Sequence, residues 1–342
     1  MKKIIITGVT GQDGSLMADY LLKNTKDTII GGVRRLSVEN HKNIQHLKDN
    51  PRFKLIDLDI TDSHNTSQVI KDEKPDYFIN FAANSFVGTS WKMPNHHLQT
   101  NCAAVLYQLE AIKDFAPSCR YYNAGSSEEF GDVAYSPQDE EHPIRPRSPY
   151  GAAKAAARMF VKVYRESYDL YAIQGILFNH EGVRRGEEFV TRKITKNAAR
   201  IKKEWRYNKH VSPLELGNVD AKRDWSDAED FVYGIWLMLN QDEPKEYVLS
   251  SNETHSVREF VELSFDAVGL LKKDCEWVGE GVNELYLHSG QPLVRINPDF
   301  YRPAEVDLLW GNSNSARSEL NWRPKTSFEE LVKKMVDIDM KL

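Results

Sequence analysis

The chain has 342 residues, 41% hydrophobic and 28% charged, with a formal net charge of −5. That composition supports a sizeable core, excludes wholesale disorder, and argues against a surface that binds nucleic acid over the whole molecule. The three cysteines, Cys102, Cys119 and Cys275, lie far apart without ligand spacing, so neither a disulfide framework nor a metal site is expected.

The N-terminus, MKKIIITGVTG, places two lysines before an apolar run, as a signal peptide does. The run is far shorter than the ~7–15 residues of a signal core. No stretch approaches the ~18 apolar residues of a membrane span. A cytoplasmic protein without membrane or nucleic-acid partners is therefore expected.

Lys3–Thr7 is β-branched and reads as a buried strand. It runs straight into Gly8, Thr10, Gly11, Gln12, Asp13 and Gly14, with glycines spaced three and three, and then into helical spacing over Ser15–Lys23. Strand, glycine turn and helix in that order suit a dinucleotide: the turn brings free N–H groups to the pyrophosphate at the positive helix end. Thr28–Val33 is a second strand. It ends at Arg34, Arg35 and Ser37, where an NAD site would carry an acidic residue. A guanidinium fork suits a 2′-phosphate, so the expected cofactor is NADP, with one of the two arginines free to be a solvated loop residue.

Phe53–Asp57 is a third strand. Asp59 and Ile60 follow; Asp59 either holds the adenine edge or starts the next helix, for which Asp62 and Ser63 are candidate caps. Tyr77–Phe81 is a fourth strand, Thr100–Phe115 a helix, and Arg120–Ala124 a fifth strand. Next comes Gly125-Ser126-Ser127-Glu128. If the chain stays extended, Ser126 and Glu128 share one face at the carboxyl end of a strand, where open α/β sheets bind ligands; a capping serine in a polar loop is the bland alternative. Ser148–Tyr168 is a long helix that puts Tyr150 and Lys154 on one face. A lysine ammonium there, together with the positive charge of an oxidised nicotinamide, would favour the phenolate of a tyrosine that is otherwise a poor base at neutral pH. Ala172–Phe178 is a sixth strand. The pattern predicts an α/β fold: a Rossmann-type, doubly wound parallel sheet over 1–178, with later segments returning to it. Residues 179–342 read as a smaller substrate lobe, with helices at Thr191–Lys203, Ala228–Leu239, Val257–Val268 and Ser327–Met340.

Glycine loop, serine and YxxxK in this order resemble the extended short-chain dehydrogenase/reductases. ITGVTGQDGS (6–15), VRR (33–35), SSEEFG (126–131), RPRSPYGAAK (145–154), GILFNHEGVRRGEEFVTRKIT (175–195), LGNVDAKRDW (216–225) and YRPAEVDLLWGN (301–312) resemble the GDP-mannose 4,6-dehydratase family over nearly the whole chain. The resemblance implies that Tyr150 takes the O4 proton of the sugar as C4 is oxidised, and that Ser126 hydrogen-bonds O4. Glu128 then removes the C5 proton and protonates the departing C6 hydroxyl, before hydride returns to C6. Lys154 tunes Tyr150 and binds the nicotinamide ribose.

The same resemblance places Phe81, Ala82, Ala83, Ser85, His180 and Arg185 beside the cofactor. It places Asn179, Val190, Lys193, Arg223, Arg302 and Glu305 around the GDP-sugar, with Ser85 touching both ligands. It also implies a homodimer or homotetramer. Departures are Ser126 for the usual threonine, Glu129-Phe130 for an apolar–tyrosine pair, the run Phe81–Ser85, His96 for a tyrosine, and Gly182 for a serine. Several surround the sugar, so GDP-manno-heptose is an alternative substrate to GDP-mannose. A 4-epimerase or 4-reductase is a further alternative, but neither needs Glu128.

Overall fold

The computed structural model describes residues 1–342 except 39, 206–210, 302–303 and 305. The first half alternates strands and helices: β1 (Lys3–Thr7), α1 (Gln12–Asn24), β2 (Thr28–Val33), β3 (Phe53–Asp57), α2 (Ser63–Glu73), β4 (Tyr77–Asn80), α3 (Pro94–Leu98), α4 (Ala104–Phe115), β5 (Arg120–Ala124), α5 (Pro149–Tyr168) and β6 (Ala172–Leu177). All six strands pair in parallel, and Val248–Leu249 adds a seventh beside β6. From one edge the order is Val248–Leu249, β6, β5, β4, β1, β2, β3. The chain winds one way from β1 and the other way from β4, as a doubly wound sheet does.

Alternation along β1 shows how the sheet is held. Ile4 and Ile6 join Met17 and Leu21 of α1 and Phe231 and Ile235 of α7 (Ala228–Leu239) on one face. Ile5 points the other way, among Phe78, Tyr121, Ile112 of α4, and Ala157 and Val161 of α5. Both faces are covered at β1, which accordingly carries a continuous apolar run, Ile4–Ile6. Local signals set the helix ends. The Asp62 carboxylate accepts the Asn65 N–H at 3.0 Å and caps α2. Ser148 accepts the Gly151 N–H at 3.0 Å and Pro149 opens the first turn of α5. The helix expected to begin at Thr100 is longer in fact: it starts at Pro94, passes through a π turn at Gln99–Ala103, and continues as α4.

The second core packs α6 (Val190–Trp205) with the helices Val257–Ala267 and Phe328–Lys341, joined through Ile194, Phe260 and Leu331. A four-stranded sheet lies beside them, in the order Cys275–Val278, Leu285–His288, Gln291–Ile296, Leu214–Leu216. The sequence reading anticipates these helices and misses every strand here. Among the described residues, no helix is long and apolar enough to cross a membrane.

Candidate active site

A cavity of about 2140 Å³ opens at the carboxyl ends of the strands and runs from the glycine loop to the second core. At its first end the chain leaves β1 through Gly8, whose φ of +65° only glycine adopts easily. A Cβ there would stand 2.8 Å from the Ala82 backbone nitrogen, so the loop can lie flat against β4 only as glycine. Gly11 begins α1 with no side chain capping the helix. The first N–H groups of α1 are thus left for a ligand in the cavity, which fits the pyrophosphate of a dinucleotide. At the cavity wall beside the loop, Asp13 and His180 form a part-buried ion pair at 3.0 Å. Burial works against both charges, but their mutual attraction wins: Asp13 is lowered to about 2 and His180 is raised.

At the middle of the cavity the chain does not stay extended after β5. Ser126 is extended, but Ser127–Glu129 turns into a single 3-10 turn that Ser126 caps, its hydroxyl accepting the Glu128 N–H at 3.2 Å. The turn, not a continued strand, brings both Ser126 and Glu128 to the cavity wall. Helix α5 approaches so closely that a Cβ on Gly151 would stand 2.5 Å from the Glu128 carbonyl oxygen. This contact sets Tyr150, one residue earlier, beside Ser126.

Burial dominates the electrostatics of the middle. Burial pushes the Tyr150 phenol up to about 12; its hydrogen bond with Ser126 opposes this, while Glu128 and Glu129 add to it. Burial also lowers Lys154 to about 8. Its ammonium donates to the Ala124 carbonyl oxygen at 2.6 Å and lies 6.0 Å from the centre of the Tyr150 ring.

A family model described as GDP-mannose 4,6 dehydratase matches residues 5–335. The chain is 43% identical to the GDP-mannose 4,6 dehydratase of Drosophila melanogaster, over 100% of this chain and 87% of that one. Identity to the Homo sapiens enzyme of that name is 42%, over 99% and 91%, and to the Vibrio cholerae enzyme 39%, over 100% and 94%. The chain belongs to the GDP-mannose 4,6-dehydratase family. Two solved structures share the fold at low identity. The dTDP-glucose 4,6-dehydratase of Bacillus anthracis, in complex with NAD, has a TM-score of 0.81 at 23% identity, covering 100% of this chain and 97% of that one. RMD from Pseudomonas aeruginosa, complexed with NADPH, has a TM-score of 0.76 at 21% identity, covering 100% and 99%.

Every expected site residue within the described chain lines this one family cavity. Arg34, Arg35 and Ser37 are exposed along its first end. Asp59 does not cap α2; its carboxylate is tied to the Thr61 N–H and hydroxyl at 3.0 and 2.6 Å. Ile60 is buried, with only an edge at the wall. Phe81, Ala82, Ala83 and Ser85 follow β4 along the wall.

Arg185 pairs with Glu181 at 2.9 Å and lies 3.6 Å over the Phe189 ring. At the far end stand Asn179, Val190 and Lys193. The Lys193 ammonium is 3.9 Å over the Phe300 ring, and burial lowers its pKa. Arg223 is buried at the wall and donates to the Lys222 carbonyl oxygen at 2.9 Å. Arg302 and Glu305 lie outside the described residues. The sequence reading missed Phe189 and Phe300. Phe189 sits inside the RRGEEFVTRK block, which was the available signal; Phe300 has no spacing to betray it.

Proposed function

We propose that the chain is an NADP-dependent lyase that converts GDP-mannose to GDP-4-keto-6-deoxy-mannose. One observation carries this: Ser126, Glu128, Tyr150 and Lys154 meet in a single cavity that reaches from a phosphate-ready glycine loop to a cationic far end. A bound pyridine nucleotide supplies reversible hydride acceptance at the sugar.

The chain's own residues supply the rest. Tyr150 takes the O4 proton, and Ser126, already bonded to its phenol, steadies that oxygen. Because burial keeps the phenol protonated, it becomes a base only when positive charge gathers beside it. Lys154 supplies such a charge from behind, fixed by Ala124. The 4-ketone acidifies C5, and Glu128 moves that proton to the departing C6 hydroxyl, so the carboxylate ends as it began. Once C6 has regained a hydride, C5 takes a proton from water and Tyr150 gives the O4 proton back to solvent, so that one water leaves in net. Lys193 and Arg223 offer fixed cations for the diphosphate.

Arg34 and Arg35 at the ribose end support NADP over NAD. The relatives named for GDP-mannose support mannose rather than the manno-heptose. Assembly as a homodimer or homotetramer in the cytoplasm belongs to the same reading, on family resemblance.

The test is mass spectrometry after incubation with GDP-mannose and, separately, GDP-manno-heptose, without added reductant. A product lighter than GDP-mannose by one water is expected. A product of unchanged mass, or turnover of the heptose alone, would overturn the assignment.

A further inference from the structure

The turn that carries Ser126 and Glu128 is held from below by a residue the reaction does not touch. Glu129 is fully buried, and its Oε1 accepts the Ser126 backbone N–H at 2.8 Å. The same oxygen terminates a chain of buried side chains that crosses four neighbouring strands. The Thr7 hydroxyl donates to Asn80 Oδ1 at 2.6 Å, Asn80 Nδ2 to Asn123 Oδ1 at 2.8 Å, and Asn123 Nδ2 to Gln174 Oε1 at 2.5 Å. Gln174 Nε2 then donates to Glu129 Oε1 at 2.9 Å. The four polar residues are direct cross-strand partners in β1, β4, β5 and β6. At the other end, the Thr7 hydroxyl accepts the Ala82 N–H at 3.1 Å, next to the glycine loop.

Every donor in the ladder points the same way, so its last member must be an acceptor. A carbonyl or carboxylate oxygen at the reach of Glu129 meets that need; an apolar side chain would strand the Ser126 N–H and one Gln174 amide proton in a dry interior, the other being given to the Lys154 carbonyl oxygen at 3.2 Å. Arg158, Lys154 and Tyr150 of α5, Glu246 and Tyr122 are the charged and titratable groups around it.

We propose that Glu129 is a positioning residue for the reaction. Its carboxyl anchors the Ser126 backbone to the sheet's polar ladder, and so fixes where the Ser126 hydroxyl and the Glu128 carboxylate stand. The functional half of this rests on the dehydratase reading; the structural half does not.

Two substitutions separate reach from charge. Glu129→Gln keeps an acceptor oxygen at full length and removes the ionisable group. Glu129→Asp keeps the carboxyl and withdraws it by one methylene. Each is made in the full chain and assayed by amide hydrogen exchange over 124–131 and by kcat and KM for GDP-mannose. In E129D, exchange at the Ser126 amide should speed up about tenfold and kcat fall about tenfold, with KM within about threefold. E129Q should hold both within about threefold of the wild type. Wild-type behaviour in E129D, or loss in E129Q comparable with that in E129D, would overturn the proposal. The exchange readout stands even if the wild type fails to turn over GDP-mannose, which would refute the dehydratase reading alone.

Discussion

The two ends of the cavity are built from different materials. At the glycine-loop end, backbone does the work: a left-handed glycine, the open N-terminus of α1, and strand ends fixed by the parallel register. At the far end, side chains do it: Lys193 over Phe300, Arg185 over Phe189, and Arg223 against a carbonyl, on short strands and connections. A backbone site tolerates little, because a Cβ has nowhere to go. A side-chain site can be retuned residue by residue, so specificity among GDP-sugars belongs there. Ser126, Glu128 and Tyr150 lie between, on a turn and a helix start held by both.

The largest effect should come from that middle. Glu128→Gln should slow water loss by ~10²–10⁴-fold, the usual worth of a positioned acid–base group. Binding of GDP-mannose, followed by titration calorimetry, should change little, since the amide keeps the shape. If water loss persists at the wild-type rate, the division between a chemical middle and two binding ends is broken.

The next concerns the support beneath that middle. Burial, partly offset by Arg158, raises Glu129 from its ordinary 4.5 to about 7. A carboxyl raised on folding is protonated in the native state. It therefore stabilises fully below 4.5 and loses that contribution as pH rises through about 7. Glu129→Gln cannot ionise and escapes the loss. Denaturant titrations from pH 4.5 to 7 should show E129Q gaining on the wild type by as much as ~3 kcal/mol. A constant difference across that window would mean that Glu129 is ionised when folded.

The backbone end is tested by Gly8→Ala. The positive φ and the 2.8 Å approach to Ala82 should cost ~1–3 kcal/mol, read as a lower Tm and weaker binding of NADP. The side-chain end should give way more gently. Lys193→Ala should raise KM for GDP-mannose by about tenfold with kcat nearly unchanged, because it removes one charge-assisted contact. An equal fall in kcat would place Lys193 in the chemistry and erase the contrast between the ends.

The same contrast explains what the sequence made legible. Strands β1 to β6 and the glycine turn were readable because β-branched runs, helix spacing and glycine each carry a local signal. The convergence of Ser126, Glu128, Tyr150 and Lys154 followed from their order along the chain. The 3-10 turn at Ser127–Glu129 is closed by a local capping box, Ser126 with Glu129 three residues on, of which the sequence reading had only the capping serine as an alternative. What the sequence did not show is the tie from Glu129 to Gln174, forty-five residues later. The second sheet escaped for a related reason. Its shortest partner, Leu214–Leu216, pairs with Gln291–Ile296 across a long gap and has too few residues to show alternation.

The central claim is that Glu128 moves the C5 proton to the leaving C6 hydroxyl, so that the hydrogen later found at C5 comes from water. Turnover of GDP-mannose in D₂O, with the product read by NMR, tests this directly. The wild type should place deuterium at C5, and Glu128→Gln should do so at least ~10²-fold more slowly. A wild-type product without deuterium at C5, or a Glu128→Gln product carrying it at the wild-type rate, would contradict the account.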